Sequence, residues 1–147
     1  MKRIMTYLDL HLMDRRKCNI MADAFKLSVK KGYNTIDFIT KVMTSKKLDW
    51  LFAMDDCFEW ADDAVLLSVL EHNLKLKKGP VLDEFTAWFI GYTYKYWLLT
   101  WNTNRYEIWN VLPVQRFLAS FDFYHTQDWD YVIEDAIKVY ETGNYVV

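Results

Sequence analysis

The stretch Glu84-Phe85-Thr86-Ala87-Trp88-Phe89-Ile90-Gly91-Tyr92-Thr93-Tyr94-Lys95-Tyr96-Trp97-Leu98-Leu99-Thr100-Trp101 decides the fold. Wound at 3.6 residues per turn, its rings point in nearly every direction around the axis, and a helix that is apolar all round is buried on most sides. Asp83 stands in front of it as an N-cap, and Asn102-Thr103-Asn104 both ends it and caps a successor. Gly91 costs a helix interior about 1 kcal/mol relative to alanine, so its reason is the close approach of a neighbouring helix. Lys95, three threonines and the polar tips of tyrosine and tryptophan break the greasiness of the run, which reads as a central core helix and not as a membrane span.

Outward from this helix, composition sets the frame. The 147 residues are one domain's worth of chain, long enough to bury roughly two thirds of the unfolded surface, and residues 1–147 read as a single helical domain. With 52% hydrophobic and 26% charged residues the chain is not disordered, and four glycines and two prolines are too few for the turns of a sandwich or barrel. A first helix is predicted over 3–31, with Ile4, Leu8, Leu12, Cys18, Ala22, Phe25 and Val29 on one face and Gly32 as its terminating glycine. Asn34 caps the next, with Ile36, Phe38, Ile39, Val42 and Met43 turned inward, and Ser45 is a second cap. Two helices fall within 46–77, with a break near 55–59 and a Leu66, Leu67, Leu70, Leu74 stripe; Gly79-Pro80 punctuates the chain. After the central helix come a short one holding Tyr106, Ile108, Trp109 and Leu112, one opened by Pro113 and running to about 123, and a last one over 128–141 stopped by Gly143. The fold class is all-α: about seven helices in one compact bundle around residues 84–101.

Charge is uneven. Residues 1–49 carry 11 Lys/Arg against 5 Asp/Glu, and residues 50–147 carry 7 against 15, within a net charge of −2. Asp55, Asp56, Glu59, Asp62 and Asp63 crowd one stretch, and at helical spacing their carboxylates repel unless a basic surface offsets them. They read either as a solvated face, balanced by the basic N-terminal third, or as a patch that steers a basic partner. A pI near 5.9 and the lack of a recognition motif argue against nucleic acid. Sixteen aromatics lie between Phe85 and Tyr131, more than a minimal core needs, and any surplus left outside is suited to anchoring a partner. Tyr94, Trp101, Arg105 and Tyr106 are the candidate anchors.

Raw material for catalysis is thin. His11, His72 and His125 stand in no metal or triad pattern, and no phosphate-binding glycine loop is present. The spacing of Arg116 and His125 is wider than in helical ribonucleases of the HEPN type. Cys18 and Cys57 show no C-x-x-C spacing and no leader opens the chain, so a reducing cytoplasm is expected, without cofactor or metal. One enzymatic alternative stays open: a pocket beneath the aromatic helix around Tyr96, Arg116 and His125.

The segment Trp88 to Trp97, then Pro113, then Tyr124-His125-Thr126 and the closing run from Ile133 to Ile137 resembles a pattern in small uncharacterised bacterial all-helical proteins of toxin–antitoxin-like gene pairs. The resemblance covers about residues 85–137 and carries no catalytic residue. Lys95 stands where that pattern has arginine, which removes a planar, bidentate grip from the position. The resemblance implies a partner-binding, antitoxin-like role. The expected function is therefore a non-catalytic cytoplasmic protein that occludes a protein partner, with a phage- or mobile-element-encoded inhibitor of a host defence protein as a physically equivalent alternative; a homodimer is left open.

Overall fold

Two long helices, α1 (Leu12–Lys30) and α5 (Glu84–Thr100), form the centre of the structure, a computed structural model that describes residues 1–54 and 61–143. They run in opposite senses. The Trp88 indole Nε1 donates to Asp23 Oδ1 at 3.0 Å, and one turn on Gly91 lies against Ala22 and Phe25. A β-carbon on Gly91 would stand 2.8 Å from Phe25 Cγ and 3.1 Å from Ala22 Cα, so the glycine's absent side chain is what lets the helices meet. Around this pair sit α2 (Thr35–Thr44), α3 (Asp49–Ala53), α4 (Asp63–Asn73), α6 (Arg105–Val111), α7 (Val114–Ala119), α8 (Phe121–Tyr124) and α9 (Trp129–Thr142). The all-α bundle and its aromatic centre are as predicted, with nine helical segments among the described residues. Trp97, Tyr94, Tyr96, Phe25 and Phe38 are fully buried, and each large apolar side chain removed from water contributes roughly 1.5–3 kcal/mol.

Local signals set the helix ends. Asn34, Asp62, Asp83, Asn104 and Asp128 each accept a backbone N–H from the first turn of the helix they precede, at 2.8–3.0 Å. Gly32 and Gly143 take positive φ (80° and 71°) where α1 and α9 stop. Two expectations are corrected. The helix opened by Pro113 is interrupted at Ser120 (φ −106°, ψ 5°), giving α7 and α8, and Pro113 occupies the N-cap position itself.

The larger correction concerns residues 1–11, which form no α-helix. Strand β1 (Lys2–Arg3) pairs antiparallel with β2 (Trp101–Asn102) at the end of α5, and the Ile4 and Met5 amides both donate to the Thr100 carbonyl at 2.8 and 3.2 Å. A single 3-10 turn, Tyr7–Asp9, follows; Asp9 Oδ2 accepts from both the amide and the hydroxyl of Thr6 at 3.0 Å. That side-chain closure offers the backbone an alternative to helix, and α1 begins only at Leu12. Leu8 and Leu12, expected on the inner face of a long helix, are left outside. The N-terminal segment is thus a strap across the end of α5, with Met1 Sδ accepting from the Trp97 indole at 3.2 Å.

Candidate functional site

Side chains at positions 85, 88, 92 and 96 of α5 share a face because they lie three or four residues apart. This face makes a ladder of rings. Phe85 stacks on Trp88 (centroids 6.4 Å, interplanar 14°), Trp88 on Tyr92 (5.4 Å), Tyr92 on Trp129 of α9 (4.0 Å, 21°), and Trp129 on Tyr7 of the strap (6.3 Å, 28°). Its two ends reach solvent at Phe85 and Tyr7. Beyond the Tyr7 end the strap and the start of α1 expose Ile4 (60%), Leu8 (87%), Leu12 (82%) and Met13 (59%), an unusual density of bare aliphatic surface for ten residues of chain.

Where the strap crosses α9, a cavity of about 220 Å³ opens between Tyr7, Tyr96, Asp128, Trp129 and Asp130. Its three rings lie 6.0–6.3 Å apart, centroid to centroid. The Tyr96 hydroxyl donates to Asp130 Oδ1 at 2.5 Å; burial first, and then this carboxylate, hold its phenol far above the ordinary range, so it remains a donor. Asp128 Oδ1 accepts from the Tyr131 amide at 2.8 Å, capping α9. Among the described residues the second oxygen of each carboxylate makes no hydrogen bond. From α1 the Arg15 guanidinium lies 4.4 Å from the Tyr7 ring centroid and donates to the Tyr7 carbonyl, and Arg3 of the strap pairs with Glu134, one turn along α9 from Asp130. A larger groove, about 470 Å³, lies between α2 and residues 77–82; its one carboxylate, Asp37, is already flanked by Lys41 and Lys77.

The residues singled out from sequence are distributed differently from expectation. Asp55, Asp56 and Glu59 lie outside the described residues, as does Cys57. Asp62 is exposed and serves as the N-cap of α4, with Asp63 in the first turn, where the helix dipole favours negative charge. Tyr94 is not an anchor for a partner: it is fully buried and its hydroxyl donates to the Leu112 carbonyl at 2.7 Å. Arg105 is likewise corrected, being 3% exposed with Nη1 donating to the carbonyls of Val42 (2.7 Å) and Ser45 (3.1 Å) and Nη2 to Asp49 (2.6 Å). It closes the C-terminal end of α2, whose last carbonyls have no partner within the helix. Tyr106 and Trp101 are half-buried; the first donates to Asp49 at 2.5 Å and the second lies beneath Arg3 at 5.5 Å.

Tyr96, Arg116 and His125 do not converge. Tyr96 belongs to the cavity above, Arg116 lines a crevice of about 30 Å³ with Tyr124 and Asp135, and His125 packs on Phe85 and Phe121. Among the described residues no group of three His, Cys, Asp or Glu side chains is placed to hold a metal ion, and no helix is long and apolar enough to cross a membrane. Comparison with family models, curated proteins and solved structures gives no match. The site therefore rests on its own chemistry: exposed aliphatics on the strap, a ring ladder behind them, and the carboxylates of α9. Sequence reading missed Tyr7, Leu8, Leu12, Met13 and Trp129, although Thr6-x-x-Asp9 carries the signature of a capped turn that separates residues 3–8 from α1.

Proposed function

We propose that this chain is a non-catalytic protein-binding module that neutralises a protein partner by occlusion, as an antitoxin or immunity protein does. The observation that carries the reading is the exposure of Ile4, Leu8, Leu12 and Met13 beside the solvent-facing end of the ring ladder at Tyr7. Covering such surface gains about 25 cal/mol per Å² of apolar area, and rings backed by a rigid stack anchor an interface at little entropic cost. The antitoxin-like character follows the resemblance of residues 85–137, and a phage- or element-encoded inhibitor of a defence protein would use the same face. Steering of a basic partner falls to Asp62 and Asp63, with Asp55, Asp56 and Glu59, joined by Asp128 and Asp130 on α9. A cytoplasmic partner is expected.

The test is a paired one. The chain and a Leu8→Ser/Leu12→Ser variant are used to capture the partner from the native host, and each is then assayed for suppression of that partner's activity. Both substitutions lie at exposed positions, so the variant keeps its melting temperature while capture and suppression are lost. Undiminished suppression by the variant overturns the assignment.

A further inference from the structure

The cavity between the strap and α9 is lined by rings and by two carboxylates. Tyr7 and Trp129 supply the ring surface that reaches it, over the buried Tyr96, and Asp128 and Asp130, two residues apart in the sequence, supply the charge. Ring faces carry the negative side of a quadrupole, so rings and carboxylates attract the same kind of guest, a cation. The volume of about 220 Å³ is below the roughly 300–1,000 Å³ of sites that take free small molecules, and it suits one side chain reaching in from another surface.

We infer that this cavity receives an arginine side chain of the partner protein. The assignment rests on the protein-binding reading above for the source of the arginine. A guanidinium is favoured over an ammonium because its planar face lies on rings while its edge donates in several directions at once. Among the described residues the second oxygens of Asp128 and Asp130, both residues lining the cavity, carry no hydrogen bond and are left as acceptors for that edge. The chain displays the same pairing internally, since Arg15 lies over Tyr7; of the cations nearest the cavity, Arg15 bonds the Tyr7 carbonyl and Arg3 pairs with Glu134, each through Nη with its Nε left unpartnered. A guest cation therefore meets two carboxylates that no described lysine or arginine pairs with. The cavity adjoins the exposed leucines of the strap through Tyr7, so one partner surface can cover Leu8 and insert an arginine alongside.

The experiment uses the full chain and capped amino acids as probes. N-acetyl-arginine amide is titrated while the Trp129 indole N–H resonance, assigned by its loss in Trp129→Phe, is followed by NMR; N-acetyl-lysine amide and the neutral N-acetyl-citrulline amide serve as comparisons. The expected result is a saturable shift with the arginine probe, a weaker one with lysine and none with citrulline. Asp128→Asn and Asp130→Asn keep the cap and the Tyr96 acceptor while removing charge, and each weakens the arginine probe about tenfold, the equivalent of about 1.4 kcal/mol. No saturable shift, an equal response to citrulline, or unchanged affinity in the double Asn variant overturns the inference. Tighter binding of free arginine than of the capped probe also overturns it, by assigning the cavity to a metabolite. The two proposals fail separately: loss of probe binding with partner suppression intact removes the arginine site alone, whereas undiminished suppression by the Leu8→Ser/Leu12→Ser variant with probe binding retained removes the Leu8/Leu12 face from the proposed function and leaves the arginine site standing.

Discussion

Gly91 of α5 faces Phe25 of α1 so closely that a β-carbon at position 91 would lie 2.8 Å from Phe25 Cγ and 3.0 Å from Cδ2. The contact fixes how near the two central helices approach, and with it the position of the ring face that α5 presents to α9 and the strap. Gly91→Ala gains about 1 kcal/mol of helix propensity, but overpacking against a ring and the Ala22 backbone costs about 1–3 kcal/mol, so a net loss of stability is expected. Thermal unfolding measures it. In a double-mutant cycle Phe25→Leu relieves part of the loss, with a coupling of at least about 0.5 kcal/mol; additive effects would place the strain elsewhere.

Arg105 holds the end of α2 from 63 residues away through the Val42 carbonyl. Arg105→Met leaves the buried Val42 carbonyl without its side-chain donor, while the Ser45 carbonyl keeps the Leu48 amide at 3.2 Å, and about 1–3 kcal/mol of stability is expected to disappear, read as a lower urea midpoint. Arg105→Lys falls between, because one ammonium cannot reproduce the fork that reaches two carbonyls and Asp49. A midpoint unchanged by Arg105→Met would return this residue to the surface role expected from sequence.

Asp62 separates capping from steering. Asp62→Ala removes the acceptor of the Val65 amide and lowers stability by about 1 kcal/mol, whereas Asp62→Asn keeps the cap. If Asp62 also steers, the Asn variant retains its melting temperature yet associates more slowly with the partner at low salt, with a shallower salt dependence. Identical rates at every ionic strength leave Asp62 with the cap alone.

Acid stability should carry the mark of Asp83. The Thr86 hydroxyl and then the Thr86 amide, at 2.5 and 2.9 Å, hold its carboxyl below the ordinary value of 3.8. A depressed folded value means that the contribution is present above the unfolded value and is lost as pH falls through the folded one, that is, below about pH 4. Asp83→Asn is therefore less stable than the parent at neutral pH, and the difference closes as the pH is lowered below the ordinary value of 3.8. Melting curves across that range check the sign; a gap that widens in acid would contradict it.

The helices themselves were legible in the sequence because their determinants are local. Asn34, Asp83, Asn104 and Asp128 cap within three residues, Gly32 and Gly143 adopt the left-handed turn that other residues resist, and most of the rings of 84–101 go into a core. Even the reason for Gly91 was readable, since an interior glycine implies a close neighbour.

What the sequence could not supply was the side of each pattern that ends up covered. Tyr94 and Arg105 look alike on paper as interface anchors, yet both are enclosed because the carbonyls that satisfy them, of Leu112 for one and of Val42 and Ser45 for the other, arrive from distant segments. Leu8 and Leu12 keep helical spacing with Ile4 but lie bare, because the pairing of residues 2–3 with 101–102 draws the strap away from the path of α1. Local chemistry wrote the helices and their ends; only the tertiary structure, through hydrogen bonds spanning most of the chain, determined which rings and aliphatics face water and brought Tyr7 to Trp129 beside Asp130.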